Sequence, residues 1–199
     1  MTEEIILAGF GGQGVLSMGK ILAYAALMDN KEVTWMPSYG PEQRGGTANV
    51  TVILSDTVIS SPVLDTYDIA VILNQQSLDK FESQVKPGGM LIYDPSGIHH
   101  KPTRTDITVI PVDALTATIE LGNPKGYNMV LLGALIAARP MVDIDAVVRG
   151  LKKALPERHH HLIPANEAAL RRGMELINKG SWKKYGRSLS ALCHPTSGI

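Results

Sequence analysis

A chain of 199 residues, 44% of them hydrophobic, is long enough to bury a core of its own. Its 19 basic and 19 acidic residues cancel, which leaves no electrostatic footprint for nucleic acid or for an anionic membrane. The single cysteine, Cys193, excludes an internal disulfide framework and an iron–sulfur cluster ligated by this chain's own thiolates.

The start, Met-Thr-Glu-Glu, is acidic and unlike a signal peptide, and no apolar run reaches the length of a membrane span. A cytoplasmic protein is expected. Residues 4–8 (Glu-Ile-Ile-Leu-Ala) read as a short buried strand. Gly9-Phe10-Gly11-Gly12-Gln13-Gly14 follows, and then Val15, Met18, Leu22 and Ala26 recur at helical spacing. The unit is a Rossmann-like strand, glycine loop and helix. Its glycines let backbone approach a ligand, and the helix start offers unpaired N–H groups and partial positive charge to a phosphate or carboxylate. Gly11, Gly12, Gln13 and Gly14 are therefore candidate binding residues.

Gly9, Gly11 and Gly14 match the dinucleotide spacing G-x-G-x-x-G. That reading also requires a carboxylate at the end of the second strand to hold a ribose. The second strand is read over residues 32–38 (Glu-Val-Thr-Trp-Met-Pro-Ser), whose carboxyl end carries no acid; Glu32 is at the wrong end. A free NAD site is disfavoured on this count, although a stand-alone nucleotide-binding protein remains an alternative.

The loop at residues 39–46, Tyr-Gly-Pro-Glu-Gln-Arg-Gly-Gly, concentrates hydrogen-bonding capacity. Arg44 could hold a carboxylate or phosphate with its planar fork, or brace the loop through Glu42. Residues 47–54 alternate with period two and are rich in β-branched side chains, as in a strand, and residues 68–73 form another buried strand. A short helix is expected over 77–85, stopped by Pro87-Gly88-Gly89, with strands at 90–93 and 107–112. A helix covers 114–121. Asn128 can cap a helix at 129–138 whose faces are all apolar, so that helix is either buried or at a partner interface. Amphipathic helices follow at 143–155 and 165–179, ended by Gly180. The alternation predicts an α/β fold, a largely parallel sheet flanked by helices. The expected organisation is one α/β domain over 1–180 and a C-terminal tail over 181–199. His159, His160 and His161 are consecutive and cannot converge on one point, so solvated or capping roles are expected and no metal ligand is assigned.

With both loops in view, the sequence resembles the gamma subunit of 2-oxoacid:ferredoxin oxidoreductases. The resemblance rests on Gly9-Phe10-Gly11-Gly12-Gln13-Gly14-Val15 and on Ser38-Tyr39-Gly40-Pro41-Glu42-Gln43-Arg44-Gly45-Gly46-Thr47-Ala48. The second segment is most similar to the 2-oxoglutarate and ketoisovalerate branches. Gly122-Asn123-Pro124, Asn128-Met129-Val130 and Leu132-Gly133-Ala134 resemble the family's buried helix, and Asn166, Ala169 and Gly173 its last helix. The likeness covers residues 4–178.

The resemblance implies a non-cluster subunit of a complex that decarboxylates a 2-oxoacid to acyl-CoA and passes electrons to ferredoxin. Thiamine diphosphate belongs to partner alpha and beta chains, and iron–sulfur clusters to a ferredoxin-like chain. This chain would hold no cofactor stably, carry no catalytic residue and be inactive alone. The resemblance also suggests that it helps to bind CoA near its interface with the thiamine-binding chains, through Gly11 to Gly14 and Arg44. Residues 39–46 and 129–138 are expected to sit on or beside a surface that meets those chains, and an isolated chain could cover an apolar patch there as a homodimer. An indolepyruvate-type subunit is a narrower alternative.

Overall fold

The computed structural model describes residues 1–39 and 46–180. The tail at 181–199 and Glu42, Gln43 and Arg44 lie outside the described residues. One six-stranded sheet organises the chain, in the order β2-β3-β1-β4-β5-β6. The strands are β1 (Thr2–Phe10), β2 (Glu32–Tyr39), β3 (Thr47–Ser55), β4 (Tyr67–Ile72), β5 (Val85–Tyr93) and β6 (Thr108–Pro111). The helices are α1 (Val15–Met28), α2 (Gln75–Phe81), α3 (Ala114–Glu120), α4 (Tyr127–Ala138), α5 (Ile144–Ala154) and α6 (Ile163–Asn178). Among the described residues no helix is long and apolar enough to cross a membrane.

The strands β1, β4, β5 and β6 pair in parallel, while β3 is antiparallel to both β1 and β2. Only β3 therefore runs against the other strands, and the expected largely parallel sheet is present. Chain length explains the exception. Too few residues separate β2 from β3 for a parallel crossover, so the two form a hairpin.

The central strand is apolar on both faces because both are covered. Ile5 and Leu7 face a core shared with α1, α4, α5 and α6, whereas Ile6 and Ala8 face a smaller core with Tyr67, Leu78, Phe81 and Tyr93. That division follows the period-two alternation of a strand.

Two local readings change. The helix expected over 77–85 ends at Phe81, passes through a tight 3₁₀ turn at Glu82–Gln84, and becomes β5 at Val85. Pro87, Gly88 and Gly89 lie inside that strand rather than before it. Gly88 has φ 76°, and the β4–β5 register shifts between Tyr67 and Ile69, so the sequence that reads as a stop makes a bulge. Asn128 lies within the first turn of α4, whose N-cap is Gly126.

Helix α4 is internal. Its residues from Met129 to Ile136 are all buried, packed on α6 through Gly133 and Gly173. Of the two options for an all-apolar helix, the core is the one realised, so Met129 to Ile136 form no exposed surface of their own.

Beyond the sheet's opposite end, Asp56 receives Lys31 at 2.6 Å and the N-terminal ammonium of Met1 at 2.7 Å. The hydrogen bond from Lys31, with that from the N-terminus, lowers the Asp56 carboxyl from 3.8 to about 2. A depressed carboxyl contributes stability above its unfolded pKa and loses it as pH falls through the folded value. Asp56→Asn should therefore flatten the stability-against-pH curve between pH 3.8 and about 2. Denaturant midpoints at several acidic pH values check this; parallel curves for the two proteins would remove Asp56 from acid unfolding. The pair is exposed, so the change should be small.

Candidate functional site

The glycine turn joins β1 to α1 at the carboxyl end of the sheet's central strand. Gly12 and Gly14 have φ of 99° and 78°, conformations that side chains other than glycine rarely adopt. Gly14 is the N-cap of α1, and its carbonyl accepts the first helical bond, from Met18 N at 2.9 Å.

Gln13 braces the turn. Its Oε1 accepts from Phe10 N at 2.6 Å, its own N–H donates to Phe10 O at 3.1 Å, and its Nε2 donates to Leu73 O at 3.4 Å. Leu73 follows the end of β4. Gln13 thus fills the crevice between the carboxyl ends of β1 and β4, where open α/β sheets receive dinucleotides. Together with the missing acid at the end of β2, this disfavours a Rossmann-type site. The strand beside β1 on the other side is also β3, not β2.

Gly11 N donates to Gly46 O at 2.9 Å, which ties the turn to the far end of the β2–β3 connection. Gly46, which leads into β3, is thereby held beside the glycine turn. Two of the N–H groups expected to face a ligand, those of Gly11 and Gln13, are used inside the protein. The N–H groups of Gly12, Gly14, Val15, Leu16 and Ser17 have no acceptor among the described residues. They are the orphan donors of a helix start and its loop.

These donors border a cleft of about 680 Å³ on the β2–β3 side of the turn. Phe10, Trp35, Pro37 and Ala48 form an apolar wall; Ser17 and Thr47 add hydroxyls. Trp35 is 38% exposed on the edge strand β2. The arrangement suits a ligand with anionic groups at one end and apolar surface along its length. The structure thus brings Gly11, Gly12 and Gly14 to the cleft and uses Gln13 as the strut behind them.

Two features behind the turn escaped the sequence reading. Asp94, fully buried after β5, accepts from Ser96 N at 2.7 Å and from Leu115 N at 3.1 Å. Burial, and then the Asp94 carboxylate, push the Tyr127 phenol well above its usual range and keep it protonated. The Asp94-Pro95-Ser96-Gly97 run is a turn signal with a mechanism, and it was available in the sequence. The second feature is Asn128, whose Nδ2 donates to Gly14 O at 3.1 Å.

Among the described residues the histidines do not line the cleft. His160 Nε2 is 3.1 Å from Lys152 O and 3.0 Å from Leu155 O, capping the end of α5. The backbone N–H groups of His99 and His100 both donate to Gln75 Oε1. Among the described residues no group of three or more His, Cys, Asp or Glu side chains could hold a metal ion.

Known proteins are similar to this chain in sequence and architecture. A family profile described as pyruvate ferredoxin/flavodoxin oxidoreductase matches residues 4–176. A ketoisovalerate oxidoreductase subunit, VorA, from Methanothermobacter marburgensis is 43% identical over 67% of this chain, and the match spans only 28% of that protein's length. A 2-oxoglutarate synthase subunit, KorC, from the same organism is 35% identical over 90% of this chain and 99% of its own. A solved structure from Geobacter sulfurreducens, a keto/oxoacid ferredoxin oxidoreductase gamma subunit, superposes with a TM-score of 0.75 at 30% identity, covering 88% of this chain and 95% of that one.

Proposed function

The chain belongs to the pyruvate ferredoxin/flavodoxin oxidoreductase family, and on that premise we propose that it is the gamma subunit of a cytoplasmic, multi-subunit 2-oxoacid:ferredoxin oxidoreductase. Its partners are alpha and beta chains that bind thiamine diphosphate and a ferredoxin-like chain that carries iron–sulfur clusters. In the complex it supports assembly and helps to bind CoA. The observation that carries the CoA assignment is the cleft itself: N–H donors at a helix start that have no acceptor among the described residues line it together with an apolar wall that includes Trp35. CoA has the matching parts, phosphates beside a flat base and a long, weakly polar arm. Neither alternative is favoured. The relatives described above are named for ketoisovalerate and 2-oxoglutarate, and Gln13 occupies the crevice that a free dinucleotide would need.

In the VorA relative the matched segment is 28% of a longer chain, so a contact with the counterpart of the remaining sequence is the first to seek. Co-purification from the native host, with identification of the bound chains, tests the assembly. Recovery of the chain alone under gentle conditions would count against it.

Arg44→Ala in the assembled complex tests the ligand. A charge-assisted hydrogen bond contributes about 1.5–3 kcal/mol, so loss of a phosphate contact should raise KM for CoA by about tenfold or more while KM for the 2-oxoacid stays constant. Loss of assembly would instead assign Arg44 to bracing the loop. Unchanged kinetics would remove it from the site.

A further inference from the structure

We infer that Asn128 is a positioning residue for the glycine turn, acting through the peptide between Gly14 and Val15. The inference rests on the reading of the cleft as the CoA site. Asn128 is far from this turn in sequence and belongs to α4, yet its Nδ2 reaches Gly14 O at 3.1 Å. The same carbonyl accepts Met18 N at 2.9 Å. Two donors on one oxygen fix the direction of that carbonyl.

A trans peptide is planar, and its N–H points opposite to its C=O. Fixing Gly14 C=O along the helix therefore fixes Val15 N–H in the reverse direction, out of the helix start. Val15 and Gly14 both line the cleft, and Val15 N has no acceptor among the described residues. Asn128 does not line the cleft; it stands behind it. The fit is mutual, because a Cβ on Gly14 would collide with the Asn128 amide, 2.8 Å from Cγ. Gly14 is thus glycine for two reasons, its positive φ and the room it gives this amide.

The facing atom on Asn128 must be a donor, since a carbonyl oxygen can only accept. Asp at this position keeps the shape but sets a carboxylate oxygen against Gly14 O. An acid in the first turn suits the dipole of α4, so the substitution attacks the contact rather than the helix. Asn128→Ala removes the contact without repulsion.

The test uses the assembled oxidoreductase and compares Asn128→Asp, Asn128→Ala and Ser17→Trp. Ser17 is exposed on the cleft rim, so tryptophan there fills the cleft while leaving Asn128 and Gly14 in place. The expected result is a KM for CoA raised about fivefold to tenfold in both Asn128 variants, the scale of one neutral hydrogen bond, with kcat and KM for the 2-oxoacid within about twofold. Ser17→Trp should raise KM for CoA as well. If Ser17→Trp raises it and both Asn128 variants leave it unchanged, the positioning role is overturned and the CoA site stands. If Ser17→Trp has no effect on CoA, the site reading fails and takes this inference with it. Loss of assembly in both Asn128 variants, or an equal rise in both Michaelis constants, would make Asn128 a structural residue and overturn the proposal.

Discussion

Gly133→Ala and Gly173→Ala should each destabilise the protein by about 3 kcal/mol, at the upper end of what overpacking costs. Helix propensity alone predicts the opposite sign, a gain of about 1 kcal/mol for replacing glycine in a helix interior. The close approach of α4 and α6 decides between them. A Cβ on Gly133 would overlap the Leu170 carbonyl oxygen and lie 2.7 Å from its carbon. A Cβ on Gly173 would overlap the Val130 carbonyl oxygen and lie 2.9 Å from Ala134 N. These neighbours are backbone atoms of helices and cannot rotate aside. The axes must separate, and the buried row from Val130 to Leu135 loses its packing along with them. Both glycines belong to one contact, so the double variant should cost less than the sum. Denaturant midpoints followed by circular dichroism measure this. An unchanged or raised midpoint for Gly133→Ala would show that the two helices can part without penalty.

Much of this architecture was legible because local chemistry and tertiary context agree. Residues 4–8 read as a buried strand and lie at the centre of the sheet; the helical spacing from Val15 to Ala26 became α1. The antiparallel insertion of β3 between β1 and β2 was not legible, because strand order is a property of pairing and the period-two pattern carries no partner. Pro87-Gly88-Gly89 misled for a related reason. Glycine and proline signal a backbone irregularity, but not whether it ends an element or bulges one.

The site was legible as residue types and not as hydrogen-bond accounting. Sequence placed a run of donors at Gly11 to Gly14. Only the fold shows Gly11 donating to Gly46 and Gln13 closed onto Phe10 and Leu73. Asn128 illustrates the same limit. Asn before an apolar run reads as a helix cap, a local role, whereas here its amide serves a turn 114 residues away in the chain. The charges of Glu3 and Arg139 gave even less indication, since a carboxylate in the second position of a strand is ordinarily solvated.

Glu3 carries the other large expected effect. It is only 1% exposed; its Oε1 accepts a hydrogen bond from Arg139 Nε at 3.0 Å and lies 2.8 Å from Nη2 of the same guanidinium in an ion pair. Its Oε2 has no donor among the described residues. Arg139 is the C-cap of α4 with a side chain 46% exposed, so by its own position it belongs to a surface pair worth at most about 1 kcal/mol. The partners are unequal, however. Removing the arginine leaves a buried carboxylate uncompensated, and breaking such a pair costs about 3–5 kcal/mol. The lower end applies, because the exposed guanidinium is partly screened by water. Arg139→Ala is therefore expected to lose about 3 kcal/mol. Lys86 shares a small hollow of about 150 Å³ with Glu3 and Arg139. Lys86 already serves Asp68 at 2.8 Å and Glu4, so it can relieve Glu3 only by leaving them. Glu3→Leu combined with Arg139→Met removes both charges and should recover most of the loss, since apolar replacements of a buried pair are often neutral or better. Urea denaturation of the wild type, the single variant and the double variant separates the cases. If Arg139→Ala costs less than about 1 kcal/mol, the pair behaves as an ordinary surface bridge and Glu3 finds its compensation elsewhere. If the double variant is as unstable as the single one, packing of the arginine stem against the sheet, rather than its charge, is what α4 loses.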